Sequence, residues 1–249
     1  MSISEKLTTI AENQQKVFDA GYNKGKSESS GDSEFWDIYQ NNGNRKNYQF
    51  AFAGQGWTNE NFKPNKDIIV TDSAYGMFWV SGIEGDLVEI LKSLNITLDF
   101  SKAIQYQYVF NGSKFTRLGV INMTGSAALT YTFSSCTVLE TIDKLILNAK
   151  GTNTFTSTFD GCTNLKNITI EGVIGNDIRF TQCTKLTKES LTSIIEHLSG
   201  STSGKTLTLS KTAVKNAFGI NVDDESTYPE GSEYYTLRHS KDNWTFNYV

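Results

Sequence analysis

Three times in mid-chain a run of alternating residues closes on a phenylalanine: Tyr106-Gln-Tyr-Val-Phe110, Leu129-Thr-Tyr-Thr-Phe133 and Phe155-Thr-Ser-Thr-Phe159. A period of two is that of a strand with one buried face. The pattern therefore predicts strands with the phenylalanines inward and Gln105, Gln107, Thr130, Thr132, Thr156 and Thr158 outward, joined on the last rung by Arg179. Each phenylalanine opens a fixed phrase, aromatic-x-x-Cys-x-x-Leu: Phe133, Cys136, Leu139; Phe159, Cys162, Leu165; Phe180, Cys183, Leu186. A weaker copy begins at Phe110 with Ser113 in the cysteine slot. A second apolar run rich in β-branched residues follows the leucines, Ile142 to Leu147 and Ile168 to Ile174, and predicts further extended chain.

The clear copies start 26 and 21 residues apart, at 133, 159 and 180. A unit of this length cannot bury its apolar face alone and must stack on copies of itself. The repeats predict a β-rich α+β fold, a leucine-rich-repeat solenoid over residues 35–186. Phe110, Phe133, Phe159 and Phe180 are its expected keystones, with the cysteines and leucines of the phrase as core.

The flanks read differently. Residues 1–23 open with a capping box, Ser2-Ile-Ser-Glu5. Ile3, Leu7, Ile10, Gln14 and Val17 follow at alternating spacings of four and three, the seam of a coiled coil with one polar rung. Self-association, a trimer above all, is one reading of this helix; packing against its own body is the other. Residues 24–34 are Gly/Ser-rich and polar and read as a flexible linker. Over 187–249 a C-terminal α/β cap is expected. It comprises a helix carrying Leu191, Ile194, Ile195 and Leu198, a strand at Lys205 to Ser210, a helix from Thr212 ended by Gly219, and a last strand at Trp244 to Tyr248.

The Phe-x-x-Cys-x-x-Leu-x-x-Ile phrase resembles the BspA-like leucine-rich repeats of bacterial surface proteins and of phages and prophages of gut Firmicutes. The chain as a whole is similar to the prophage type, from its opening helical segment through Phe35-Trp36-Asp37 and Ala51-Phe52-Ala53-Gly54 to Asn243-Trp244-Thr245. The resemblance implies a virion-associated structural or fibre protein, assembled in the bacterial cytoplasm and released on lysis. Its implied partners are other copies of itself, other virion proteins, and a host-surface protein or glycan. A surface adhesin and a purely architectural virion protein are the alternatives.

Composition narrows the chemistry. A net charge of −4 and a pI near 5.3 leave no cationic footprint for nucleic acid. No apolar run is long enough to span a membrane, and the N-terminus lacks the apolar core of a signal peptide. Three cysteines, all in one slot of the repeat, read as reduced core thiols. His197 and His239 lie in no metal-ligand spacing, and no nucleophile elbow or phosphate loop occurs. The carboxylates of 221–233 read as a solvated acidic loop. No enzyme, cofactor or metal site is expected. Trp57, Tyr75 and Trp79 are candidates for stacking on sugar rings, with core packing expected for at least two of them.

Overall fold

A computed structural model describes residues 48–125 and 128–249. The helix expected over 1–23, with Ile3, Leu7, Ile10, Gln14 and Val17, and the linker at 24–34 lie outside the described residues. In chain order the elements are β1 (Ile68–Ile69), β2 (Glu84–Asp86), α1 (Leu87–Ser93), β3 (Leu98–Asp99), β4 (Lys114–Asn122), β5 (Thr141–Ile146), β6 (Asn167–Glu171) and β7 (Ile178–Phe180). There follow α2 (Lys188–Glu196), β8 (Lys205–Leu209), α3 (Lys211–Phe218), α4 (Glu233–His239) and β9 (Trp244–Tyr248).

The apolar runs after the repeat leucines are the strands. β4 buries Phe115, Leu118 and Ile121, and β5 buries Ile142 and Leu145, while Arg117, Asp143 and Lys144 face outward. β2, β4, β5 and β6 pair in that order, all parallel, with Leu118 beside Ile142 and Ile142 beside Ile168. Their outer face is laced by ion pairs. Arg117 donates to both oxygens of Asp143 at 2.8 and 2.7 Å and to Asp86 at 3.2 Å, and Lys144 meets Glu171 at 2.8 Å.

The alternating runs before each phenylalanine are not strands, which corrects the first expectation. They are chains of tight turns: Val109 N–H donates to Tyr106 C=O, Thr132 to Leu129, and Cys136 to Phe133. Alternate N–H groups instead reach the next turn of chain, Tyr131 to Thr156 and Phe133 to Thr158, both at 3.0 Å. The ribbon bends by placing Tyr108, Tyr131 and Ser157 in the left-handed region, at φ 61°, 55° and 52°. The two-residue alternation survives in this ribbon, which is why a strand was legible there.

Inside, the phenylalanines stack. Phe78 and Phe110 lie 5.6 Å apart between ring centroids, Phe110 and Phe133 5.7 Å, Phe133 and Phe159 5.3 Å, and Phe159 and Phe180 4.6 Å, with ring planes within 25°. Beside the rings each buried thiol donates to the carbonyl of the preceding phenylalanine: Cys136 to Phe110 at 2.9 Å, Cys162 to Phe133 at 3.0 Å and Cys183 to Phe159 at 3.7 Å. All three are free thiols. Burial pushes Cys136 up to about 11, Cys183 up to about 12 and Cys162 well above the ordinary thiol value. Leu139, Leu165 and Leu186 complete the core at 3% exposure or less.

The fold class is also corrected. Among the described residues the protein is an α/β fold with three separate parallel sheets, β1-β3, β2-β4-β5-β6 and β7-β8-β9, and four helices between strands. A β-rich α+β leucine-rich-repeat solenoid would have carried one ladder through every turn. Helix α2 stops it. Ser190 and Ser193 accept the N–H groups of Ile168 and Ile170, both at 2.9 Å, so helix side chains satisfy the edge of β6 where a further strand would have paired. Thr187 caps α2 by accepting from Ser190 N–H. The third sheet begins at β7, inside the expected repeat region, and runs through β8 to β9.

Candidate functional site

In the chain of turns, the residues two before Phe110 and Phe133 continue a row of half-buried rings. Tyr75 and Tyr108 lie 5.5 Å apart and Tyr108 and Tyr131 5.0 Å apart at an interplanar angle of 18°. Phe50 closes the near end, 5.4 Å from Tyr75 and 6.1 Å from Trp79. At that end Gly76 takes the left-handed position, because a Cβ there would sit 2.5 Å from the Phe50 ring. Tyr75 then supplies the ring from one position earlier. Tyr75, Tyr108 and Tyr131 are half-buried, and burial raises the phenols of Tyr75 and Tyr108 above their ordinary value.

Bulky side chains in left-handed backbone are strained, each by about 1–3 kcal/mol, where glycine would not be. Stacking returns about 0.5–1.5 kcal/mol per aromatic pair. None of the three rings belongs to the hydrophobic core, which holds the phenylalanine stack.

The row ends at Ser157, which stands where a further ring would continue it. Here the backbone ladder also lapses. Leu129, Tyr131 and Phe133 donate to the carbonyls of Thr154, Thr156 and Thr158, but one turn later the N–H groups of Phe155, Ser157 and Phe159 have no backbone carbonyl partner among the described residues. Side chains bridge the lapse. Arg179 donates from Nε to Asp160 at 2.9 Å and from a terminal nitrogen to Ser157 Oγ at 2.8 Å, with a further short bond to Asp160. Asn176 donates to the Asn153 carbonyl at 2.9 Å, and Gln182 accepts from Gly161 N–H at 2.6 Å. Between these bridges lies a groove of about 370 Å³. One wall carries Thr154, Thr156 and Ser157, the other Asn176, Asp177 and Arg179, and Thr206 and Thr208 of β8 close it. The Asp160 carboxylate beside Arg179 holds its guanidinium above the ordinary value, so that charge is matched locally.

The expected ligand row divides. Thr156 and Arg179 are exposed and line the groove; Thr130 is half-buried between Tyr108 and Tyr131 in the chain of turns. Thr132 and Thr158 are 0% and 1% exposed, a correction: their hydroxyls donate inward to Tyr106 and Leu129 carbonyls at 3.0 and 2.7 Å, tying turn to turn. Gln105 is exposed and accepts from Ser73 Oγ at 2.8 Å, and Gln107 is half-buried with its Oε1 enclosed. Trp57 is core at 1% exposure. Trp79 is half-buried and its indole N–H donates to Asn111 at 2.9 Å. Tyr108 and Tyr131 were missed because a strand reading points them inward; the left-handed turn at each turns them out.

His197 and His239 each bond a helix carbonyl four residues back at 2.8 Å. Among the described residues no group of three His, Cys, Asp or Glu side chains is placed to hold a metal ion, and no helix is long and apolar enough to cross a membrane. No family model, no curated protein and no solved structure matches the chain.

Proposed function

We infer that this chain is a non-enzymatic contact protein of a phage or prophage particle that meets a host or neighbouring surface through its tyrosine row. One observation carries the reading: half-exposed tyrosines at 108 and 131 occupy strained left-handed backbone outside the hydrophobic core. Tyrosine gives contact area and a hydrogen-bonding tip at low conformational cost, and with Arg and Trp it dominates the energetics of recognition surfaces. Tyr75, Tyr108 and Tyr131, with Arg179 beyond them, have that composition. The likeness of the cysteine phrase to BspA-like proteins of phages supports the setting. The helix read over residues 1–23 would join copies, a trimer in the first instance, so that weak faces act together and gain avidity through effective concentration.

The test is adhesion of the labelled full chain to cell envelopes from a panel of gut Firmicutes, beside a Tyr108→Ser/Tyr131→Ser variant. Loss of adhesion with an unchanged melting temperature supports the reading. Equal adhesion by the variant overturns it.

A further inference from the structure

The geometry points to the groove between the turn at Thr154–Ser157 and β7 as a binding site for a neutral saccharide. The inference rests on the contact reading above and names the ligand class for the far end of the same surface. Three features select that chemistry. The lining is dense in groups that both donate and accept: the hydroxyls of Thr154, Thr156, Ser157, Thr206 and Thr208, and the amide of Asn176. Saccharide hydroxyls have the same dual character and match such a wall group by group.

Charge argues in the same direction. Arg179 is held by Asp160 and Ser157, and the groove's other charge is the Asp177 carboxylate, which accepts the Thr206 N–H at 2.7 Å, so the lining offers no unmatched positive charge that would select a phosphate, a sulfate or an acidic sugar. The Arg179–Asp160 pair is bidentate, and its remaining donors and lone pairs suit a pair of adjacent hydroxyls. Third, the ladder lapses here. The N–H groups of Phe155 and Ser157, which one turn earlier are spent on carbonyls, are left without a backbone partner where the groove opens. A volume of about 370 Å³ falls in the lower part of the range of small-ligand sites, roughly 300–1,000 Å³, and suits a short saccharide.

The experiment titrates cellobiose, maltose, lactose and N,N′-diacetylchitobiose into the isotope-labelled full chain and follows backbone amide shifts, with sialyllactose and an unstructured threonine-rich peptide alongside. The expected result is saturable shifts of Thr156, Ser157, Asp177 and Arg179 with at least one neutral disaccharide. Thr156→Arg fills the groove from an exposed position and should weaken that binding at least tenfold without moving the melting temperature. The inference is overturned if no neutral disaccharide shifts these amides, if binding survives Thr156→Arg, or if sialyllactose or the peptide is the one that saturates the site. Should the sugars fail while envelope adhesion still depends on Tyr108 and Tyr131, the saccharide inference falls and the contact reading stands. Should they bind while adhesion ignores those tyrosines, the contact reading falls alone.

Discussion

Phe159 stands where the backbone ladder lapses, so its removal separates two contributions that elsewhere act together. Its ring is 1% exposed and stacked on both sides, at 5.3 Å from Phe133 and 4.6 Å from Phe180. Truncating a buried phenylalanine to alanine costs about 3–5 kcal/mol. The two ring pairs, each worth about 0.5–1.5 kcal/mol beyond burial, place this site at the upper end, near 5 kcal/mol. Phe110 is stacked between two rings as well, at 5.6 and 5.7 Å, with Phe100 and Phe115 edge-on at 5.9 and 6.2 Å, but there the N–H groups of Tyr108, Phe110 and Gly112 continue the ladder into the next turn. Phe110→Ala should therefore lower stability with the urea m-value unchanged. Phe159→Ala should also lower m or split the transition, because the β7-β8-β9 sheet then unfolds on its own. Urea unfolding of both full-length variants measures this. A cost below about 2 kcal/mol for Phe159→Ala, or one transition of unchanged m, refutes the claim that the ring stack carries the junction.

Other consequences are separately measurable. The three core thiols have raised values in the folded state, so the folded chain holds their protons where the unfolded chain releases them. Their contribution is complete below the ordinary thiol value of 9.0 and is lost as pH rises toward about 11 for Cys136 and about 12 for Cys183. Stability should fall above pH 9 by up to about 1.4 kcal/mol per pH unit per thiol, a slope that flattens in Cys136→Ser; a flat alkaline profile in the native chain would contradict this. Tyr131→Gly relieves left-handed strain while losing one stacked pair, so unfolding free energy should change by no more than about 1 kcal/mol; a loss above about 3 would make the ring structural. Light scattering should give a trimeric mass for the full chain and a monomeric one for a chain starting at Ser33. Equal masses per chain would remove the avidity argument.

Periodicity in the sequence located the core without locating the surface. The phenylalanine, cysteine and leucine of each phrase are buried where the repeat put them, because side-chain volume and apolarity are legible residue by residue. Backbone hand is not. Nothing in Leu129-Thr-Tyr-Thr-Phe133 announces that Tyr131 sits at φ 55°, since left-handed turns are usually signalled by glycine or asparagine, and here the same position of the turn chain is left-handed whether it holds Tyr108, Tyr131 or Ser157. Thr132 reads as an outward polar residue, yet one hydroxyl bond to a neighbouring carbonyl suffices to bury it. The end of the sheet at β6 was equally hidden. It depends on Ser190 and Ser193, which look like ordinary helix residues until the edge they satisfy is in view.

The most direct test of the contact surface is hydroxyl-radical footprinting of the full chain, free and bound to a cell envelope to which it adheres. The account predicts protection of Tyr75, Tyr108 and Tyr131 on binding, with no change at exposed Val120 on the ion-paired face of β4. Protection at Val120 with the tyrosines unaltered would place the contact on the sheet face and contradict it.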